Sequence, residues 1–257
     1  MSDILRIGLV QYSPIWENPT GSIEKINSLL GNEKNDYQVL IFPEMSLTGF
    51  TFKSKYFAED IDGISTQFFI KLAQNKKIDI FAGLIENEDE RYYNTLVHFD
   101  SAGLIKARYR KIHPFSFAGE EKFYSSSKDP IITKIGSHKI GLSVCYDLRF
   151  PELYRFYAKE KVEAIINIAN WPVKRITHWE ALIKARAIEN LCYFIGVNRV
   201  GSDPDNIYDG RSSIVSPIGE SINLVSKNEQ IIIENIDFNL VSETREKLKF
   251  LEDIKLI

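Results

Sequence analysis

Three places in the chain end a predicted strand in a reactive side chain. In Gly141-Leu142-Ser143-Val144-Cys145-Tyr146-Asp147 a strand-like segment ends in a cysteine, and a helix is expected from about Pro151. A sharp strand-to-helix turn projects a sulfur clear of a sheet, and nearby backbone N–H groups can stabilise a thiolate and later an oxyanion. The hydrolase nucleophile elbow works on the same logic. A buried strand cysteine that packs as a small hydrophobe would carry the same local sequence. Leu40-Ile41-Phe42-Pro43-Glu44 runs from a core strand into a carboxylate, which reads as a general base or as a turn cap. Arg108-Tyr109-Arg110-Lys111 ends a strand in an ammonium that is either functional or an ordinary solvated charge. A thiol nucleophile needs a base and its acyl intermediate needs oxyanion donors. The three sites therefore make more sense together than singly, because open α/β sheets gather functional groups at strand ends.

Other chemistries find little support. Ser143 is a near-miss to G-x-S-x-G, but Cys145 replaces the last glycine and Ser143 lies inside the strand. Cys192, at the end of an apolar helix, reads as packing. There is no G-x-G-x-x-G, no P-loop and no H-E-x-x-H, and His98, His113, His138 and His178 lack ligand spacing. No metal or cofactor is implied. The acidic run Glu86-Asn87-Glu88-Asp89-Glu90 misses the EF-hand spacing and is expected to be a solvated turn between strands.

The elements that must position these groups alternate along the chain. Strands are predicted at Leu5–Tyr12, Val39–Phe42, Ile78–Ile85, Thr95–Phe99, Leu104–Arg110, Ile131–Ile135, Lys139–Cys145, Ala164–Ile168, Tyr193–Asn198, Ser213–Val215, Ser221–Leu224 and Ile231–Ile236. Helices are predicted around Ile23–Leu30 with a stop at Gly31-Asn32, over Thr66–Asn75, after Pro151, over Trp179–Leu191 and over Leu240–Phe250. No repeat or linker interrupts them, so residues 1–257 read as one domain. Mixed βαβ units and hairpins point to a layered α/β sandwich.

Composition agrees. The 257 residues are 44% hydrophobic and 26% charged with a net charge of −3, so nothing argues for nucleic acid or an anionic membrane as partner. Two cysteines exclude a disulfide framework and fit a reducing cytosol. No apolar run approaches the roughly 18 residues of a membrane span, and the N-terminal residues do not read as a signal peptide.

Phe42-Pro43-Glu44, Arg110-Lys111-Ile112-His113 and Val144-Cys145-Tyr146-Asp147-Leu148-Arg149-Phe150-Pro151 resemble, in order, the three signature segments of the nitrilase (carbon–nitrogen hydrolase) superfamily. Ala169-Asn170-Trp171-Pro172, His178-Trp179 through Asn190, and Asn198-Arg199-Val200-Gly201 resemble the segments that follow. The Cys-Tyr-Asp-Leu-Arg-Phe-Pro form, with Ala118-Gly119-Glu120, is most similar to the omega-amidase branch. The resemblance implies a single-domain α-β-β-α sandwich, homodimerisation through helices beside the nucleophile, and a Glu44–Lys111–Cys145 triad. It implies a second active-site glutamate at Glu120, with Glu121 as the alternative one residue on. It also implies catalysis without cofactor or metal.

On that resemblance, Glu44 is the base for Cys145, and Lys111 with the Tyr146 N–H holds the oxyanion. Arg149 would bind the far carboxylate of a small-molecule amide such as 2-oxoglutaramate or 2-oxosuccinamate, because guanidinium suits a bidentate carboxylate. A structural ion pair of Arg149 with Glu152 is the alternative. Trp171 and Phe117, with Tyr146, would wall the pocket. An N-carbamoyl amino acid or aliphatic amide hydrolase is the nearest other activity. A Cys–His hydrolase using His113 or His178 would leave Glu44 and Lys111 unexplained, and a silent scaffold would leave the intact triad unexplained. A cytoplasmic enzyme is expected.

Overall fold

The computed structural model describes residues 3–31 and 37–255. The first half of the chain comprises β1 (Ile4–Gln11), α1 (Pro19–Leu30), β2 (Val39–Ile41), α2 (Ser54–Phe57), α3 (Ile64–Lys76), β3 (Asp79–Glu88), β4 (Arg91–Phe99) and β5 (Ile105–Arg110). The second half comprises β6 (Ile132–Ile135), β7 (His138–Val144), α4 (Pro151–Lys159), β8 (Ala164–Ala169), α5 (Ile176–Asn190), β9 (Tyr193–Asn198), β10 (Val200–Ser202), β11 (Ile207–Asp209), β12 (Ser213–Val215), β13 (Gln230–Asp237) and α6 (Asn239–Lys247).

One six-stranded sheet runs β13-β1-β2-β3-β4-β5 and one five-stranded sheet runs β12-β9-β8-β7-β6. Side-chain alternation makes each a two-faced wall. In the first sheet Leu5, Ile7 and Leu9 of β1, Val39 and Ile41 of β2, and Phe81 of β3 pack with Ile140, Leu142, Val144 and Ile166 of the second sheet. Val10, Leu40, Ile80, Ala82 and Val97 face the other way, onto Ile26 and Leu30 of α1 and Phe69 and Leu72 of α3. On the outside of the second sheet sit Leu153, Tyr154 and Tyr157 of α4 and Trp179, Ile183 and Ala187 of α5. The layers are thus α-β-β-α, as expected. Full burial of each large apolar side chain contributes about 1.5–3 kcal/mol.

Local signals explain the boundaries. Asn18 Oδ1 accepts from Gly21 N–H at 2.9 Å and Pro19 takes the first helical position of α1. Gly31 ends that helix at φ +50°, while Asn32, the other half of the expected stop, lies outside the described residues. Two expectations fail. Ser221–Leu224 forms no strand: only Ser221 makes an isolated bridge, to Val215, and the Asn223 side chain bonds the Ile214 N–H and Ser212 carbonyl instead. The acidic run is not a solvated turn throughout. β3 extends to Glu88, and Glu86 is buried, bonded by Thr95, Arg108 and Arg110. Only Asp89 and Glu90 form the turn, both at positive φ. The short β10–β11 hairpin was not among the predicted strands, although it turns on Asp203-Pro204-Asp205-Asn206, where Asp203 Oδ1 accepts from the Asp205 and Asn206 N–H groups.

Candidate active site

The site forms where β2, β5, β7 and β8 leave their sheets, at one end of the sandwich. Glu44 follows β2 after Pro43, Lys111 follows β5, Cys145 follows β7, and Asn170 follows β8. Glu44, Cys145 and Asn170 leave strands whose ends are buried, whereas Lys111 ends the more exposed β5 just after buried Tyr109; each strand delivers its side chain to the edge of the core. Gly83 of β3 underlies Glu44: a Cβ there would lie 2.5 Å from the Met45 nitrogen and 2.8 Å from the Glu44 Cα. Only glycine permits that approach. Met45 and Cys145 both adopt left-handed backbone, at φ +45° and +47°. Such conformations are unfavourable for residues with a Cβ and gather at functional turns. At Cys145 the reversal begins a 3-10 turn over Cys145–Arg149, which is the sharp strand exit the sequence predicts.

Glu44, Lys111 and Glu120 are all almost fully buried. Lys111 Nζ donates to Glu44 Oε1 at 3.0 Å and to Glu120 Oε2 at 2.8 Å. Glu120, not Glu121, occupies this position; Glu121 is exposed. The Asn94 amide, from β4, donates to Glu44 Oε1 at 2.7 Å and to Glu120 Oε1 at 3.1 Å. On its other oxygen Glu44 accepts from the Asn170 backbone N–H at 2.7 Å and its side-chain amide at 3.3 Å. Glu120 is held further by the Phe115 N–H at 2.5 Å. Buried charges persist only when paired and bonded in this way.

The electrostatics follow from this packing. Burial works against the Lys111 ammonium, but Glu120 and Glu44 outweigh it and hold its pKa well above the ordinary lysine value. Burial pushes the Cys145 thiol well up, the Glu44 carboxylate adds to the rise, and Lys111 opposes it. Burial and Glu44 together thus favour the thiol form of Cys145. Among the described residues, no three His, Cys, Asp or Glu side chains are grouped to hold a metal ion.

A cavity of about 790 Å³ opens over Cys145 and Lys111. Tyr146, Arg149, Asn170, Trp171, Phe115 and Tyr208 are among its walls. Arg149 makes no ion pair with Glu152 among the described contacts; its guanidinium lies 4.8 Å from the Trp171 ring centroid and donates to His178 Nδ1 at 3.3 Å. Burial and neighbouring Arg175 lower its pKa. Trp171 is nearly buried and serves as the floor under Arg149, bonding the Arg175 carbonyl. Phe117 stands at the rim, 84% exposed, so it lines the mouth and not the depth. Cys192 is buried, and burial pushes its thiol up to about 12.

The comparisons with known proteins fit this geometry. The carbon-nitrogen hydrolase family pattern matches residues 6–246. The chain belongs to the carbon-nitrogen hydrolase family. Among its relatives, a 2-oxoglutaramate amidase of Bacillus subtilis (strain 168) is 31% identical, with 97% of each chain covered. The omega-amidase YafV of Escherichia coli (strain K12) is 30% identical, over 97% of this chain and 96% of that one. In three dimensions the chain is similar to XC1258 of Xanthomonas campestris, a family protein solved with an arsenic adduct in its active site. The TM-score is 0.94 at 29% identity, with 99% and 98% of the two chains covered. The protein is accordingly an enzyme acting on carbon–nitrogen bonds with the nitrilase fold.

Family membership was legible from three strand exits, but two polar residues of the site were not assigned. Asn170 carries the same signal as Glu44 and Cys145, a polar residue straight after a buried strand end. Asn94 sits inside β4 with nothing in its local sequence to mark it.

Proposed function

We propose that the protein hydrolyses the ω-amide of small dicarboxylate monoamides, 2-oxoglutaramate and 2-oxosuccinamate among them, to the acid and ammonia. The observation that carries this reading is the buried Lys111 ammonium shared by two carboxylates at the floor of a cavity, beside a thiol at a strained turn. Glu44 takes the Cys145 proton as the sulfur attacks the amide carbonyl. The oxyanion forms against Lys111 and the Tyr146 N–H, which lies in the first turn of the 3-10 segment, where backbone donors lack intrahelical partners. Collapse of the intermediate breaks the C–N bond; Glu44 returns the proton to nitrogen, ammonia leaves, and a thioester remains. Glu44 then draws a proton from water, with Glu120 anchoring Lys111 and the water's surroundings, and the acid is released with the thiol restored.

Arg149 supplies the charge for the distal carboxylate: its guanidinium is half-buried, faces the cavity and has an aromatic floor. A homodimer formed through the outer faces of α4 and α5 is consistent with exposed Phe156 of α4 and Ile188 of α5, with exposed Phe250 of the Phe250–Asp253 turn near Ile188. A cytoplasmic location suits two free cysteines, one of which must stay reduced. Among the described residues no helix is long and apolar enough to cross a membrane. Ammonia release over a panel of amides tests the assignment. Turnover of 2-oxoglutaramate and succinamate-type amides is expected; inertness toward both, with turnover of N-carbamoyl amino acids, overturns it.

A further inference from the structure

Asp147 lies two residues beyond Cys145, is fully buried, and has no Lys or Arg paired with it among the described residues. Its carboxylate is nonetheless saturated. Oδ2 accepts from the Tyr109 hydroxyl at 2.8 Å and from the Val144 N–H at 3.0 Å. Oδ1 accepts from the His113 N–H at 2.9 Å and meets His113 Nδ1 at 2.7 Å. The partners are not scattered. Val144 immediately precedes Cys145, and Tyr109 and His113 stand two residues either side of Lys111. One side chain thus bridges the exit of β7 in the second sheet to the exit of β5 in the first. Its four donors leave no role for an apolar or donating group, because only a carboxylate offers about four acceptor sites.

The rest of the neighbourhood shows what this bridge holds. Cys145 is left-handed at φ +47°, a conformation that a non-glycine residue keeps only when its surroundings over-determine it. Arg186 grips the same turn from behind, through the Leu148 carbonyl at 3.0 and 3.1 Å, but makes no described bond to the β5 exit. The His113 ring stacks on Phe150 at 3.8 Å and closes the far end of the turn against the same segment. Among these contacts, the Asp147 carboxylate is the hydrogen-bonded link joining the nucleophile's turn to the segment that carries Lys111. We propose that Asp147 is a positioning residue that sets the separation of the Cys145 sulfur from the Lys111 ammonium, and so aligns the nucleophile with the oxyanion it creates. This rests on the Glu44–Lys111–Cys145 reading above.

Two variants test it. Asp147→Asn keeps the shape but turns an NH2 toward two donors. Tyr109→Phe keeps the ring in the core and removes one bond of the four. Each is assayed for kcat, KM, unfolding midpoint and the rate of Cys145 alkylation by iodoacetamide, which needs the sulfur but not its alignment with Lys111. In folded Asp147→Asn, kcat falls by about 10²-fold while KM stays within about threefold, as expected of a misplacement near 1 Å. Tyr109→Phe lowers kcat by roughly 3–10-fold, the loss of one net hydrogen bond. The double variant is no worse than Asp147→Asn alone, because the two residues act as one network. Alkylation changes much less than kcat in both. Wild-type kcat in folded Asp147→Asn overturns the proposal, as does a loss of kcat that simply tracks the unfolded fraction. Should Asp147→Asn not fold, unchanged kcat in Tyr109→Phe overturns it equally. Activity in Cys145→Ala would instead sink the triad reading; inactive Cys145→Ala beside fully active Asp147→Asn removes the bridge alone.

Discussion

Glu44 accepts hydrogen bonds from Lys111, Asn94 and Asn170 while facing a thiol whose pKa burial holds high. On the mechanism proposed above, that combination makes the proton, not the sulfur, the controlled quantity: the cysteine stays neutral until Glu44 takes its hydrogen. The consequence is measurable. In Glu44→Gln, alkylation of Cys145 should be slow at neutral pH and climb about tenfold per pH unit as the thiolate fraction grows. A rate level from pH 6 to about 9 would mean a standing thiolate and contradict this account. In the proposed function Arg149 has the other separable role. Its loss leaves a carboxylate unpaired in a partly desolvated cavity, so Arg149→Gln should raise KM for 2-oxoglutaramate by roughly 10–100-fold, the worth of a charged hydrogen bond, with a smaller change in kcat. An unchanged KM would return Arg149 to a structural part beside His178 and Trp171.

At the scale of elements, the site depends on how closely strands approach each other. Gly83 is where β3 passes under the Glu44 turn, and any Cβ would press on backbone, which cannot swing aside. Gly83→Ala should shift Glu44 and lower kcat by about 10²-fold, with about 1–3 kcal/mol lost in stability. Wild-type kcat in that variant would show the turn to be more yielding than its spacing indicates. Most strands were legible because their apolar residues serve buried faces, and the exits at Glu44 and Cys145 because a polar residue follows each such strand; Lys111 ends the more polar β5. Local sequence could not show pairings that exist only across the fold. Glu86 looks solvated until β4 and β5 bring Thr95, Arg108 and Arg110 to it, and Asn94 joins the site only because β4 lies beside the exits of β2 and β5. Ser221–Leu224 has strand-like residues, yet Asn223 satisfies backbone groups that a ladder would otherwise take.

At the scale of the whole molecule, the two sheets bury a set of ionisable groups in their protonated forms. Burial raises the phenols of Tyr109, Tyr154, Tyr12 and Tyr157 above their ordinary 10.0 and the thiols of Cys145 and Cys192 above 9.0. Once pH passes those ordinary values the unfolded chain has released protons that the folded chain retains, so stability falls as pH rises further. Lys111 acts in the same direction. Its folded pKa lies above its ordinary 10.5, so the stability from its two carboxylates is full below that value and is lost as pH climbs through the folded one. Thermal melts should be steady through neutrality and drop beyond about pH 10; a constant midpoint to about pH 11 would show these groups to be solvated. All this packing converges on one sulfur, and the most direct test is made there. Purified Cys145→Ala, shown folded by an unchanged circular dichroism spectrum, should release ammonia from 2-oxoglutaramate at least about 10⁴-fold more slowly than the wild type. Activity within about tenfold of wild type in that variant would contradict a covalent cysteine mechanism outright.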